Sequence, residues 1–107
     1  MSQTIKVLGQ VNPSAASLTD AYVSPTSSVI SSIIVCNRSV VATAFRISIA
    51  IGGAADDNKQ YIAYDALITG NQIIPFVNGI TLGPTDVIRV YATLATLTFN
   101  IFGVQQQ

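Results

Sequence analysis

Apolar and polar residues alternate with a period of two along most of this 107-residue chain. Phe45, Ile47, Ile49 and Ile51 interleave with Ala44, Arg46, Ser48 and Ala50, which predicts a strand with one face buried. Val29, Ser31, Ile33 and Val35 interleave with Ile30, Ser32, Ile34 and Cys36. Both sets turn apolar in the second half, the pattern of a strand covered on two sides. Val87–Ala92 and Leu97–Phe102 repeat the alternation, and shorter runs fall near 4–8, 18–23, 60–65 and 73–77. Between them stand turn-forming stretches: "NPSAAS", "SPTS", "NRS", "GGAADDN", "TGNQ" and "NGITLGPTD". No segment sustains a 3.6-residue period, so helix is expected to be minor or absent. The polar tail "VQQQ" is expected to fray or to rest on a partner.

About eight short strands in one domain of residues 1–107 predict an all-β fold. The expected architecture is an antiparallel two-sheet β-sandwich, jelly-roll-like or immunoglobulin-like. An immunoglobulin domain would carry a Cys…Trp…Cys pattern, and this chain has one cysteine and no tryptophan, which favours the jelly roll.

The stretch 89–103, "RVYATLATLTFNIFG", reads as a closing hairpin. Its connection, Thr93-Leu94-Ala95-Thr96, contains no Gly, Pro, Asn or Asp and puts a leucine at the tip, and the whole stretch holds one charge. A free strand edge is normally blunted by charge or proline. Leu94, the edge beside it, Ile80-Thr81-Leu82 and the two termini are therefore expected to lie against other chains.

Composition strengthens that expectation. Half of the residues are hydrophobic and only 9% are charged, against about 25% in typical soluble domains. A folded chain of this mass exposes roughly 5,700 Å², so Ser, Thr, Asn and Gln must hydrate that surface or neighbouring chains must cover part of it. Five basic and five acidic residues give zero net charge, which does little to oppose association. Lys6, Arg38, Arg46, Lys59 and Arg89 are scattered singly, and no basic face for nucleic acid is expected. "MSQTIKVLGQ" shows no signal-peptide pattern, and no apolar run approaches the ~18 residues of a membrane helix, so no membrane partner is expected. Cys36 follows Ile33-Ile34-Val35 and is expected to be a buried, inert thiol.

Candidate chemistry is sparse. Without histidine there is no Ser/His/Asp or Cys/His system and no histidine metal site. Without glutamate, a carboxylate pair would have to come from Asp20, Asp56, Asp57, Asp65 and Asp86. Asp20 and Asp86 sit beside turns, where side-chain hydrogen bonding to the backbone accounts for them. No enzymatic activity, cofactor or metal is expected. Asp56, Asp57 and Asn58 offer oxygen ligands for Ca²⁺, but without alternate spacing they read as a solvated loop. Gly52-Gly53 opens no helix and is a turn rather than a phosphate cradle. Asn37-Arg38-Ser39 matches a glycosylation sequon and reads as a turn. Arg46 and Arg89, both mid-strand, either shield a sheet face or pair with Asp65, Asp86 or a neighbouring subunit's carboxylate. Tyr61, Tyr64 and Tyr91, with Asn78, would suit a sugar-binding platform. Three-residue spacing on one strand, however, places Tyr61 and Tyr64 on opposite faces, and packing within the sandwich is the simpler reading.

The segments "SSIIVCNRSVVATAFRISIAIGGA", "QYIAYDALITGNQ" and "GITLGPTDVIRVYATLATLTFNIFG" resemble small virion structural proteins of tailed bacteriophages, including cyanophages and other marine phages. The shared pattern is a Cys-Asn-Arg turn after an apolar strand, a Tyr-x-x-Tyr-Asp strand, and a closing pair of blocks ending in Asn-x-Phe-Gly. The likeness spans roughly residues 28–103. It implies a β-sandwich virion component made in the host cytoplasm, a head decoration or cement protein or a neck or tail component. Its partners would be copies of itself and other virion proteins. The alternative is a receptor- or carbohydrate-binding module of a tail fibre. Leu94, Ile80, Leu82, Arg46 and Arg89 are the expected interaction residues, whereas the binding-module alternative would use Tyr61, Tyr91, Asn78 and neighbouring loops.

Overall fold

The computed structural model describes residues 2–76 and 79–106. Among these residues nine strands form: β1 (Gln3–Val11), β2 (Thr19–Val23), β3 (Ser28–Asn37), β4 (Thr43–Ala50), β5 (Tyr61–Ile68), β6 (Ile73–Phe76), β7 (Ile80–Leu82), β8 (Val87–Ala92) and β9 (Leu97–Gln106). The only helical pieces among the described residues are two 3-10 turns, Ile51–Gly53 and Asn58–Gln60. Alternation produces this outcome because each strand has a set of β-branched or aromatic residues for one face. The expected all-β, two-sheet antiparallel sandwich is the architecture observed.

The pairing is nested. β1 pairs with β9, β2 with β8, β3 with β6 and β7, and β4 with β5, all antiparallel. The chain is thus one long hairpin rolled up. Cross-links β3–β9 and β4–β8 close the roll into two sheets, β1-β9-β3-β6/β7 and β2-β8-β4-β5. β6 and β7 lie end to end along β3, opposite Ile33–Cys36 and Ser28–Ile30 respectively. Counted as one interrupted strand, they complete an eight-stranded jelly roll, the expected alternative over the immunoglobulin order.

Between the sheets lie Ile30, Ile33, Val35, Phe45, Ile47, Ile68, Ile88, Val90, Leu97, Phe99 and Ile101, nearly all without solvent exposure. Phe45 stands edge-on to both Phe76 and Phe99, with centroids 5.8 and 6.1 Å away. Accessible surface totals 5491 Å², close to the mass-scaling value.

Several expectations change. β8 and β9 are not a hairpin: they belong to different sheets, and Thr93–Thr96 is an arch between them. Neither strand has a free edge, because β8 lies between β2 and β4 and β9 between β1 and β3. The apolar character of 89–103 reflects two interior strands, not an unguarded rim. Turn residues are unnecessary because tertiary hydrogen bonds hold the arch. Asn12 Nδ2 donates to the carbonyls of Ala95 (3.1 Å) and Leu97 (2.8 Å), and Arg38 Nη2 donates to that of Ala95 (3.1 Å). The backbone N–H of Thr93 donates to Ala44 (3.0 Å), and that of Arg38 donates to Thr96 (2.9 Å).

Ile80-Thr81-Leu82, expected to lie against other chains, is strand β7. Leu82 is buried and so is not free for a partner, while Ile80 is half-buried against the core. Tail residues 104–106 do not fray but continue β9. Tyr22 Oη donates to Gln105 Oε1 (2.8 Å), and the Gln106 N–H donates to the Ser27 carbonyl (2.9 Å). Gly103 makes this close fit feasible, since a Cβ there would stand 2.2 Å from the Val29 carbonyl oxygen. Cys36 is half-buried on an outer face rather than buried in the core. Asn37, as expected, organises a turn: it is buried, and its amide donates to the Val41 (2.9 Å) and Thr69 (3.2 Å) carbonyls.

Candidate functional sites on the two outer faces

The rolled topology gives the sandwich two outer sheets that differ in charge, although both expose apolar side chains, Val23, Ile62 and Leu67 among them on the charged one. The strands of the β1-β9-β3-β6/β7 sheet carry a single charged residue, Lys6. Its outer face is read from the register. Ile5 and Val7 of β1 stand beside Val104 and Phe102 of β9. Val29 of β3 follows next to Val104, and Ile34 and Cys36 stand beside Pro75 and Ile73 of β6. Ile5 is 83% exposed, Ile73 62%, and Val29 and Val7 about half. An apolar band thus crosses this sheet on the diagonal, interrupted on β3 by Ser31 and Ser32, with Ser32 beside Phe102 and Asn100 beside Ile34. Thr98, Asn100 and Gln10 supply polar relief at one end, where Gln10 Nε2 donates to Asn100 Oδ1 (2.7 Å).

The other sheet holds Asp20, Arg46, Asp65 and Arg89 within its strands. Its outer face is built from two cross-strand rows. One runs Asp20 (β2), Arg89 (β8), Ser48 (β4), Tyr61 (β5); the next runs Tyr91 (β8), Arg46 (β4), Tyr64 (β5).

Two β-bulges in β5 create the second row. Phe45 pairs with Ala66 and Ile47 with Ala63, so Tyr64 and Asp65 together oppose the single residue Arg46. Asp65 adopts a left-handed backbone (φ 50°) to fit the extra residue. A second slip, Ile47–Ala63 to Ser48–Tyr61, adds Ile62 as another unpaired residue. The bulges overturn the expectation that three-residue spacing separates Tyr61 from Tyr64. Their rings meet edge-to-face, with centroids 5.0 Å apart.

Arg46 therefore faces a ring and a carboxylate on one neighbour and a second ring on the other. Its guanidinium carbon lies 4.2 Å from the Tyr64 centroid and 4.4 Å from that of Tyr91. Nε donates to Asp65 Oδ1 (2.7 Å) and Nη2 to Asp65 Oδ2 (3.3 Å). The hydrogen-bonded carboxylate holds the guanidinium above its ordinary pKa. Arg46 thus pairs with Asp65, one of the expected outcomes.

Arg89 does not pair with Asp65 or Asp86. Nε donates to Asp20 (3.2 Å), Nη1 to the Ala54 carbonyl (2.7 Å) and Nη2 to that of Gly53 (3.2 Å). Its donors anchor the β4–β5 loop inside the chain. Asp86 accepts from the N–H groups of Gly52 and Gly83, each at 2.8 Å, as its turn position suggested. Leu94 sits on the arch, 37% exposed, away from both faces.

The Asp56-Asp57-Asn58 segment is structured rather than simply solvated. Asp57 caps the 3-10 turn by accepting from the Lys59 N–H (3.1 Å), and Asp56 accepts from Tyr61 Oη (2.8 Å). Burial first, and the Asp56 hydrogen bond second, raise the Tyr61 phenol above its ordinary 10.0. Beside these groups an open cleft of ≈ 460 Å³ is lined by Asn58, Tyr61 and Tyr64. Among the described residues no three His, Cys, Asp or Glu side chains gather as a metal site. Ser48 Oγ, buried between Arg89 and Tyr61 in the ladder, has no hydrogen-bond partner. Asn78 lies outside the described residues.

The tyrosine–arginine stack escaped sequence reasoning because Asp65, not glycine, takes the left-handed position. The available signal was a slip in alternation: core-facing Ala63 is followed by core-facing Ala66 and Ile68. The apolar band escaped it because Ile5 and Val29 become neighbours only through β9. No family model matches the chain, and comparison with curated proteins and with solved structures likewise finds no match.

Proposed function

We propose that the chain is a non-enzymatic structural subunit of a tailed-phage virion, assembling with copies of itself and with other virion proteins as a head decoration or cement protein or a neck or tail component. The observation that carries this reading is the exposed apolar band on the β1-β9-β3-β6/β7 sheet. At ~3.3 Å per residue along ten-residue β9 and ~4.8 Å between four strands abreast, that face projects about 600 Å². A standard interface takes about 800 Å² of accessible surface from each partner, so this face supplies the larger part of one. Segregation of charge supports the same reading, since both ion pairs sit on the opposite sheet. The phage resemblance supplies the setting.

Fully burying an isoleucine gains about 1.5–3 kcal/mol, and Ile5 enters any interface on this face largely exposed. Ile5→Asp is expected to preserve the monomer fold by circular dichroism and to weaken assembly at least tenfold by sedimentation velocity. Mass-spectrometric counting in virions of the encoding phage should find the chain in tens to hundreds of copies. A wild-type chain that stays monomeric at high concentration and is missing from virions would overturn the proposal.

A further inference from the structure

We propose a second site on the opposite sheet: the cleft between Asn58, Tyr61 and Tyr64 binds a neutral saccharide. Its volume of ≈ 460 Å³ falls in the range of small-ligand sites, about 300–1,000 Å³. Tyr64 leaves 57% of its surface open, and Tyr61 packs edge-on beside it. Together they form an angled aromatic wall, two rings at 90°, against one of which the C–H face of a pyranose ring can stack. Polar groups stand at its margin. The Asp56 carboxylate accepts hydrogen bonds, the Asn58 amide both donates and accepts, and the Arg46 guanidinium donates. Sugar hydroxyls, which are donors and acceptors at once, complement that set.

The wall is pre-formed. Arg46 is clamped by Asp65 and stacked on Tyr64, while Asp56 holds the Tyr61 hydroxyl, so little side-chain freedom remains to be lost on binding. Other ligand classes fit less well. Asp56, bonded to the Tyr61 hydroxyl at the cleft, disfavours a phosphate there, whereas Asp65 is neutralised by Arg46. β5 is a sheet edge, but its two bulges break the ladder that an added peptide strand would need. This site lies across the sandwich from the apolar band, so sugar binding and assembly fail or succeed separately.

The test is a glycan array spanning bacterial, plant and animal oligosaccharides, probed with biotinylated protein tetramerised on fluorescent streptavidin. Hits are expected among neutral hexose chains and are then titrated in solution by tyrosine fluorescence. Tyr64→Ala is expected to weaken binding tenfold or more, and Asn58→Ala about three- to tenfold, the loss of one hydrogen bond. Ile5→Asp should leave it unchanged. If Tyr64→Ala does not fold, Asn58→Ala decides the matter. An array without hits, or hits that these variants bind as tightly as the parent chain, overturns the site.

Discussion

Replacing Asp65 separates the two roles that its position combines. Its carboxylate holds Arg46, and its backbone takes the left-handed turn that makes the bulge. The side chains of Arg46 and Asp65 are 25% and 50% exposed, so solvent screens the pair. The ion pair is worth about 0.5–1 kcal/mol, the upper part of the range for exposed pairs because it is bidentate. The backbone contributes through the substituent: an ordinary L-residue pays about 1–2 kcal/mol in the left-handed region, which Asn, Asp and Gly largely avoid. Asp65→Asn is therefore expected to lose about 0.5–1 kcal/mol, a loss that shrinks in high salt. Asp65→Gly should lose a similar amount, and Asp65→Ala about 1.5–3 kcal/mol, the sum of both effects. Gly above Ala reverses the usual order at an extended position, where Gly is the weaker residue by roughly 0.5–1 kcal/mol. Urea unfolding followed by tyrosine fluorescence measures all three variants without interference, because the chain has four tyrosines and no tryptophan. An Ala variant as stable as the Gly variant would refute the bulge argument. A stability difference between the parent chain and Asp65→Asn that does not shrink with added salt would refute the ion-pair argument.

Two further outcomes follow from the hydroxyl groups. Tyr22 Oη meets Ser28 Oγ (2.8 Å) and Gln105 Oε1 (2.8 Å) at the buried end of the sandwich, so Tyr22→Phe should cost about 1–3 kcal/mol in chemical denaturation by leaving those groups short of a partner. A change below a few tenths would mean that Gln105 finds another donor. The Tyr61 phenol is raised above 10.0 in the folded chain, so the fold favours its neutral form. Its contribution to stability is complete below the ordinary value and is lost as pH rises through the folded one. Stability should therefore fall in alkali above about pH 10, and Tyr61→Phe should flatten that fall. Equal alkaline slopes for the two proteins would count against this.

The sequence by itself determined the class of fold. Period-two alternation at Phe45–Ile49 and Leu97–Phe102 leaves each strand one apolar face, and two sheets closing on those faces are the way such strands leave water; Ile51, in phase with them, instead lies in the 3-10 turn after β4 and is 78% exposed. The alternation also placed most of the core, including Phe45, Ile47, Phe99 and Ile101, because facing inward depends on local parity. Tertiary structure decided everything that depends on which strands meet. Whether Ala92 and Leu97 join one sheet or two is invisible locally, since an arch held by Asn12 and Arg38 needs no turn residues of its own. Leu82 read as surface because β7 is only three residues long and is recognisable only beside β3. The bulges at Asp65 and Ile62 arise from pairing β5 with β4, and they alone bring Tyr61, Tyr64 and Arg46 together. The apolar band has the same origin. Ile5, Val104 and Val29 are far apart in the chain, and the nested pairing of a rolled hairpin makes them neighbours.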